Sequence, residues 1–165
     1  MNPEKFNEIF EHAFEHAKVL MQKEGDLMPT AFIFTTSDNG HGFDCQILPM
    51  PMADDTQKEF LRRLLVTFAK KVNACAVMFV SEAWIASCAP EDWDSFRGPV
   101  RDYPDRKEAL VLHGRTSFIN RLRTQEFTKG EGGTYIFGKS QDLFDSSDYC
   151  AFTDGIFPES AMTRH

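Results

Sequence analysis

The sequence predicts an α+β fold. The expected layout is a mostly antiparallel sheet of five to six strands with two helices on one face, ordered α-β-β-α-β-β-β-(β). Three observations predict it. Apolar residues recur at helical spacing over roughly 3–23 and 54–72. Between those segments, Ser37-Asp38-Asn39-Gly40 separates two short strand-like runs, and Asn-Gly is the strongest local hairpin signal. Beyond residue 72, strand-like runs follow one another with no further helical pattern.

Each element has its own warrant. Asn2 suits the N-cap of the first helix, Pro3 its first position and Gly25 its end. Phe6, Ile9, Phe10, Ala13, Ala17 and Leu20 form its apolar stripe. The hairpin strands are Thr30 to Thr36 and Gly42 to Leu48, stopped by Pro49 and Pro51. The second helix runs from about Asp54 to Val72. Thr56 and Glu59 are placed for a capping box, and Phe60, Leu61, Leu64, Leu65, Phe68 and Val72 form its buried stripe. Its Lys58, Arg62, Arg63, Lys70 and Lys71 fall mainly outside that stripe, as a solvated face. The third strand, Ala74 to about Ala86, is apolar on both faces at Val77-Met78-Phe79-Val80 and so reads as central. Further strands are expected at Lys107 to His113, Phe118 to Phe127 and Thr134 to Phe137. Ser87 to Tyr103 is a long loop.

At 165 residues the chain fits one domain with a sizeable core, assigned to 1–138, followed by an acidic Ser/Asp-rich tail over 139–165. A net charge of −7 opposes non-specific binding to phosphate backbones, so no nucleic-acid partner is expected. The basic stretch from Arg115 to Lys129, with Arg121 and Arg123, reads as one solvated strand face. Cys45, Cys75, Cys88 and Cys150 have no metal spacing. Cys45 and Cys75 read as small core hydrophobes, and reduced thiols fit a cytoplasmic protein. No signal-peptide pattern and no apolar run of membrane-spanning length occur, so no membrane association is expected.

Chemical motifs are sparse. His12-Ala13-Phe14-Glu15-His16 matches H-x-x-E-H, which sets two imidazoles one turn apart, as a zinc hydrolase requires. Glu15 and His12 point away from the apolar stripe, so a solvated helix face is the stronger reading. Pro104-Asp105 matches half of a metal-dependent nuclease signature, but Glu126 and Lys129 are one residue too far apart to complete it. His41 sits between Gly40 and Gly42 as a turn residue, and Asp44 lies on the outward side of its strand. Gly130, Gly132 and Gly133 lack the strand-loop-helix context of a phosphate loop. No catalytic set, metal site or cofactor is expected.

One pair of strand ends stands out. Alternation puts Met78, Val80, Glu82 and Trp84 on one face, and Arg106, Glu108, Leu110 and Leu112 on one face of the next strand. Antiparallel pairing would bring Glu82 to Arg106 or Glu108, beneath the Trp84 ring. A half-buried carboxylate needs a partner. A Glu82–Arg106 salt bridge fixing strand register is therefore the first expectation. The functional alternative is a ligand pocket of Glu82, Trp84, Arg106, Glu108 and His113, roofed by the long loop, in which Arg106 would hold a small anion.

Pro29-Thr30-Ala31-Phe32-Ile33-Phe34-Thr35-Thr36, Val80-Ser81-Glu82-Ala83-Trp84 and Pro104-Asp105-Arg106-Lys107-Glu108 together resemble a family of short, uncharacterised α+β proteins encoded in bacterial and phage genomes. The resemblance spans roughly Gly25 to Gly114; it implies a small intracellular domain, adds no catalytic residues, and is consistent with a phage or mobile-element origin. The expected function is a non-catalytic binding or regulatory protein acting on a host protein, with a protein partner or a second copy of the chain. The alternatives are a small-molecule or nucleotide-binding protein or hydrolase at Glu82/Trp84/Arg106, and a zinc hydrolase at His12/Glu15/His16.

Overall fold

Helix α1 (Pro3–Glu24) is closed at both ends by its own sequence. The Asn2 side chain accepts from the Lys5 N–H at 2.8 Å, Pro3 opens the first turn, and Gly25 ends the helix at φ +86°. A computed structural model of the chain describes residues 1–38, 40–86, 100–144, 153 and 155–157. The remaining elements are β1 (Thr30–Thr36), β2 (Phe43–Pro49), α2 (Asp55–Lys71), β3 (Ala76–Ile85), β4 (Lys107–Arg115), β5 (Asn120–Lys129) and β6 (Tyr135–Phe144). They form one six-stranded sheet in the order β2-β1-β3-β4-β5-β6, every neighbouring pair antiparallel. The class and element order are those the sequence predicts. The turn residue Asn39, the loop from Ser87 to Pro99, Cys88, Trp93 and Cys150 lie outside the described residues.

The helices cover opposite faces of the sheet, not one. Phe6, Phe10, Phe14, Ala17 and Met21 of α1 pack with Phe34, Ala76, Met78, Val80, Leu110 and Leu112. Leu65 and Ala69 of α2 pack with Ala31, Ile33, Val77 and Phe79. Strand alternation explains the split: a central strand apolar at every position from Ala76 to Val80 must be covered on both sides. The stripe of α1 is rotated from expectation, because Phe14 and Met21 join its core while Ile9, Ala13 and Leu20 are only partly buried. Gly114 lets this helix approach, since the Phe6 and Phe10 rings fill the space that a Cβ there would need.

The second helix departs further. Asp54, not Thr56, is its N-cap and accepts from the Gln57 N–H at 2.7 Å. Glu59 is taken by Arg62 and Arg63, at 2.8 and 2.7 Å. Phe60 and Leu64 are 66% and 50% exposed. Phe60 lies five residues from the buried Leu65, about 140° around the helix, so the two cannot share one contact face. Cys45 is also exposed, because α1 reaches β3 and β4 and leaves the β2 edge open.

Arg121 and Arg123 are not a solvated strand face. Arg121 is 5% exposed and donates to Asp142 Oδ1, Asn7 Oδ1 and Glu11 Oε1 at 3.2, 3.0 and 2.6 Å. Arg123 bridges the same two carboxylates, at 2.5 Å to Glu11 and 2.7 Å to Asp142. Both guanidiniums lie over the Phe10 ring, Arg121 at 4.3 Å from its centroid. This clamp joins α1 to β5 and β6.

The boundary expected at 138/139 falls inside β6, whose Asp142 belongs to the clamp. Thr153, Ile156 and Phe157 are buried, and the last two join the core beneath α2.

Candidate functional site

Past the end of α1, on the same sheet face, the chain runs through Asp26, Leu27 and Met28 into β1. The C-terminal end of that helix is tied down there. The Gln22 amide bonds the Tyr135 backbone in both directions, at 2.6 and 3.2 Å, and the Tyr135 hydroxyl donates to Gly25 O. Beyond α1, Glu82, Trp84 and Glu108 stand on this face, with Trp84 exposed and the two carboxylates half-buried.

The register of β3 with β4 decides who meets whom. Glu82 pairs with Leu110, Trp84 with Glu108 and Ile85 with Lys107. Arg106 therefore lies one step past the last pair, about 13 Å along the strand from the Glu82 level. The expected Glu82–Arg106 salt bridge does not form. Glu82 Oε1 instead accepts from the Leu27 backbone N–H at 2.8 Å. The Arg106 guanidinium stacks on Trp84, 4.9 Å from the ring centroid, and donates to Tyr103 O at 3.2 Å.

Burial pushes the Glu82 carboxyl above its ordinary range. The Leu27 N–H and Lys129 oppose that shift, whereas Glu108 and Asp26 add to it. Glu82 thus has two further carboxylates, Glu108 and Asp26, and the Lys129 ammonium within electrostatic reach, while Arg106 lies on the Trp84 ring. Trp84 is 43% exposed, and Met28, next to the residue that bonds Glu82, is 55% exposed.

His113 is not part of this cluster. Its pairing with Phe79 and Leu122 puts it on the face that α2 covers, one alternation away from Leu110 and Leu112. It is 3% exposed, with Nε2 at 2.5 Å from Asn120 Oδ1 and Nδ1 at 2.8 Å from Thr153 Oγ1. There it joins β4 and β5 to the C-terminal segment. His12, Glu15 and His16 are exposed on α1, and Glu15 pairs with Lys18 at 2.7 Å. Among the described residues, no group of three or more His, Cys, Asp or Glu side chains could hold a metal ion. No helix among them is long and apolar enough to cross a membrane.

Sequence reasoning missed Leu27, Met28 and Lys129. Their proximity to Glu82 depends on where α1 ends over the sheet, which no local pattern encodes. Compared with known proteins, the chain matches no family model, no curated protein and no solved structure.

The Glu82 contact gives a test of this geometry. Glu82→Ala leaves the part-buried Leu27 N–H without its acceptor and should cost about 1 kcal/mol. Glu82→Gln keeps an acceptor and removes the ionisable group. Because the folded carboxyl titrates above its unfolded value, its favourable contribution is complete below the unfolded pKa and is lost as pH rises through the folded one. Urea unfolding should therefore show Glu82→Gln gaining on the wild type between pH 4 and pH 7. A constant difference across that range would contradict the assignment. A Glu82→Ala, Arg106→Ala cycle should be additive within about 0.5 kcal/mol, since the two side chains do not meet.

Proposed function

We propose that this chain is a non-catalytic binding protein whose contact centre is Trp84 with Arg106 stacked on it. The observation that carries this reading is a large aromatic ring left 43% exposed on the sheet with Arg106 stacked on it, together with the 55% exposed Met28. Trp, Met and Arg are enriched at protein interfaces, and Trp and Arg dominate their binding energy. The partner is proposed to be a protein segment with an apolar side chain to cover Trp84 and Met28 and a basic side chain for Glu82 and Glu108. Glu82 stands near the further carboxylates Glu108 and Asp26, so this face favours a cation: the charge of an incoming Lys or Arg would offset the cost of burying the Glu82 carboxylate. In this reading the chain is phage- or mobile-element-encoded and acts on a host protein, with support from the resemblance carried by the Pro29–Thr36, Val80–Trp84 and Pro104–Glu108 segments.

Selection from a displayed library of random peptides tests the proposal. Enriched peptides should carry Lys or Arg next to a large apolar residue, and Trp84→Ala should weaken their binding at least about tenfold. Enrichment of acidic peptides, or equal binding by Trp84→Ala, would refute it.

A further inference from the structure

The sheet has one open edge of unusual composition. Residues 44–47 of β2 are all exposed. The Ser37 N–H donates to Gly42 O and the Met50 N–H to Pro29 O, flanking the β1–β2 ladder in its own register. The even-numbered residues of β2 therefore turn their backbone groups toward β1. Phe43, Cys45 and Ile47 direct N–H and C=O away from the sheet, and Pro49, with no N–H, ends the row.

Natural sheets blunt such edges with Lys, Pro, bulges or covering segments. The opposite edge, β6, carries Lys139 and Asp142 and a register shift against β5 between Gln125 and Phe127. The middle of β2 has no Lys, Pro or bulge, no described segment pairs with its outer side, and its only charged residue is Asp44.

We propose that β2 pairs antiparallel with β2 of a second copy of this chain. A two-fold axis near Cys45 or Gln46 sets the outward donors of one strand against the outward acceptors of the other. In a chain of net charge −7, this is a stretch where two copies meet with little repulsion. The axis places each Asp44 opposite Gln46 or Leu48 of the other copy, never opposite the other Asp44. On the α1 side of the sheet, Cys45 and the 60% exposed Ile47 cover their counterparts. The same backbone row would also accept an extended strand from a different protein, and the experiment separates the two.

Sedimentation under reducing conditions is measured across a wide concentration range for the wild type and for a Cys45→Lys, Ile47→Lys variant. Both positions are exposed, so the variant should melt near the wild type, which confirms its fold. The wild type should pass from monomer to dimer with rising concentration, and the variant should dimerise at least about tenfold more weakly. Amide exchange at Cys45 and Ile47 should slow with concentration, while Gln46, already bonded to β1, should not change. A wild type that stays monomeric throughout would overturn the proposal and leave the edge to a foreign strand. A dimer indifferent to the lysines would overturn it as well, pointing to another surface such as Phe60 and Leu64.

Discussion

Arg121→Ala is expected to lower unfolding stability by about 2–3 kcal/mol, since a buried guanidinium loses charge-assisted hydrogen bonds to partners that are themselves partly exposed. The side chain is 6% exposed and is the innermost part of the clamp. Its loss strips hydrogen bonds from Asp142, Asn7 and Glu11 and leaves a void against the Phe10 ring. Arg123 cannot compensate, because its own nitrogens already engage the same carboxylates. Chemical denaturation checks the magnitude. The clamp also sets an acid limit. Hydrogen bonds from Arg123 hold the Glu11 carboxyl below its ordinary value, and at Asp142 the arginines outweigh the burial that pushes the other way. Carboxyls depressed in the fold contribute stability above their unfolded pKa, and that contribution disappears as pH falls through the folded values. The wild type should therefore lose stability below about pH 4, and Arg121→Ala should lose less over the same window. A cost under about 1 kcal/mol would mean that the clamp is a surface feature.

Gly114→Ala should destabilise by about 1–3 kcal/mol, although Ala is ordinarily the better strand residue. An added Cβ would stand 2.8 Å from Phe10 Cδ2 and 2.8 Å from Phe6 Cζ. Both rings are fully buried, so neither can swing into solvent, and α1 itself must lift from the sheet. Gly138 on β6 is the control. The nearest atom to a Cβ there is 3.6 Å away, and Gly138→Ala should stay within about 0.5 kcal/mol of the wild type. Thermal melts of the two variants decide the matter. Equal melting points would show that α1 does not bear on Gly114.

Local rules made most of the fold legible. The Asn2 cap, Pro3 and Gly25 each act over a few residues, and the helix they bound runs as their chemistry dictates; the two strands flanking residues 37–42 pair as a hairpin. The both-face apolarity of β3 already implied two covered faces. Placing both helices on one face ignored that implication, which the structure corrects. Harder to read was anything set by helix placement over the sheet. Phe14 enters the core, Phe60 and Leu64 leave it, and Arg121 changes from solvated to buried according to which rows α1 and α2 present. At the candidate site, alternation correctly grouped Glu82, Trp84, Arg106 and Glu108 on one face. It also required His113 to fall on the other, being one residue out of phase with Leu112. The partner of Glu82 could not be read because it is a backbone N–H, and backbone donors carry no sequence signature.

The face around Trp84 is proposed to bind a basic, apolar protein segment. Amide and indole chemical-shift mapping with a selected peptide tests it most directly. Shifts should concentrate on Leu27, Met28, Glu82, Trp84, Arg106 and Glu108, and all should be lost in Trp84→Ala. Shifts confined to the β2 edge or to α2, or a Trp84→Ala protein that binds the peptide unchanged, would contradict it.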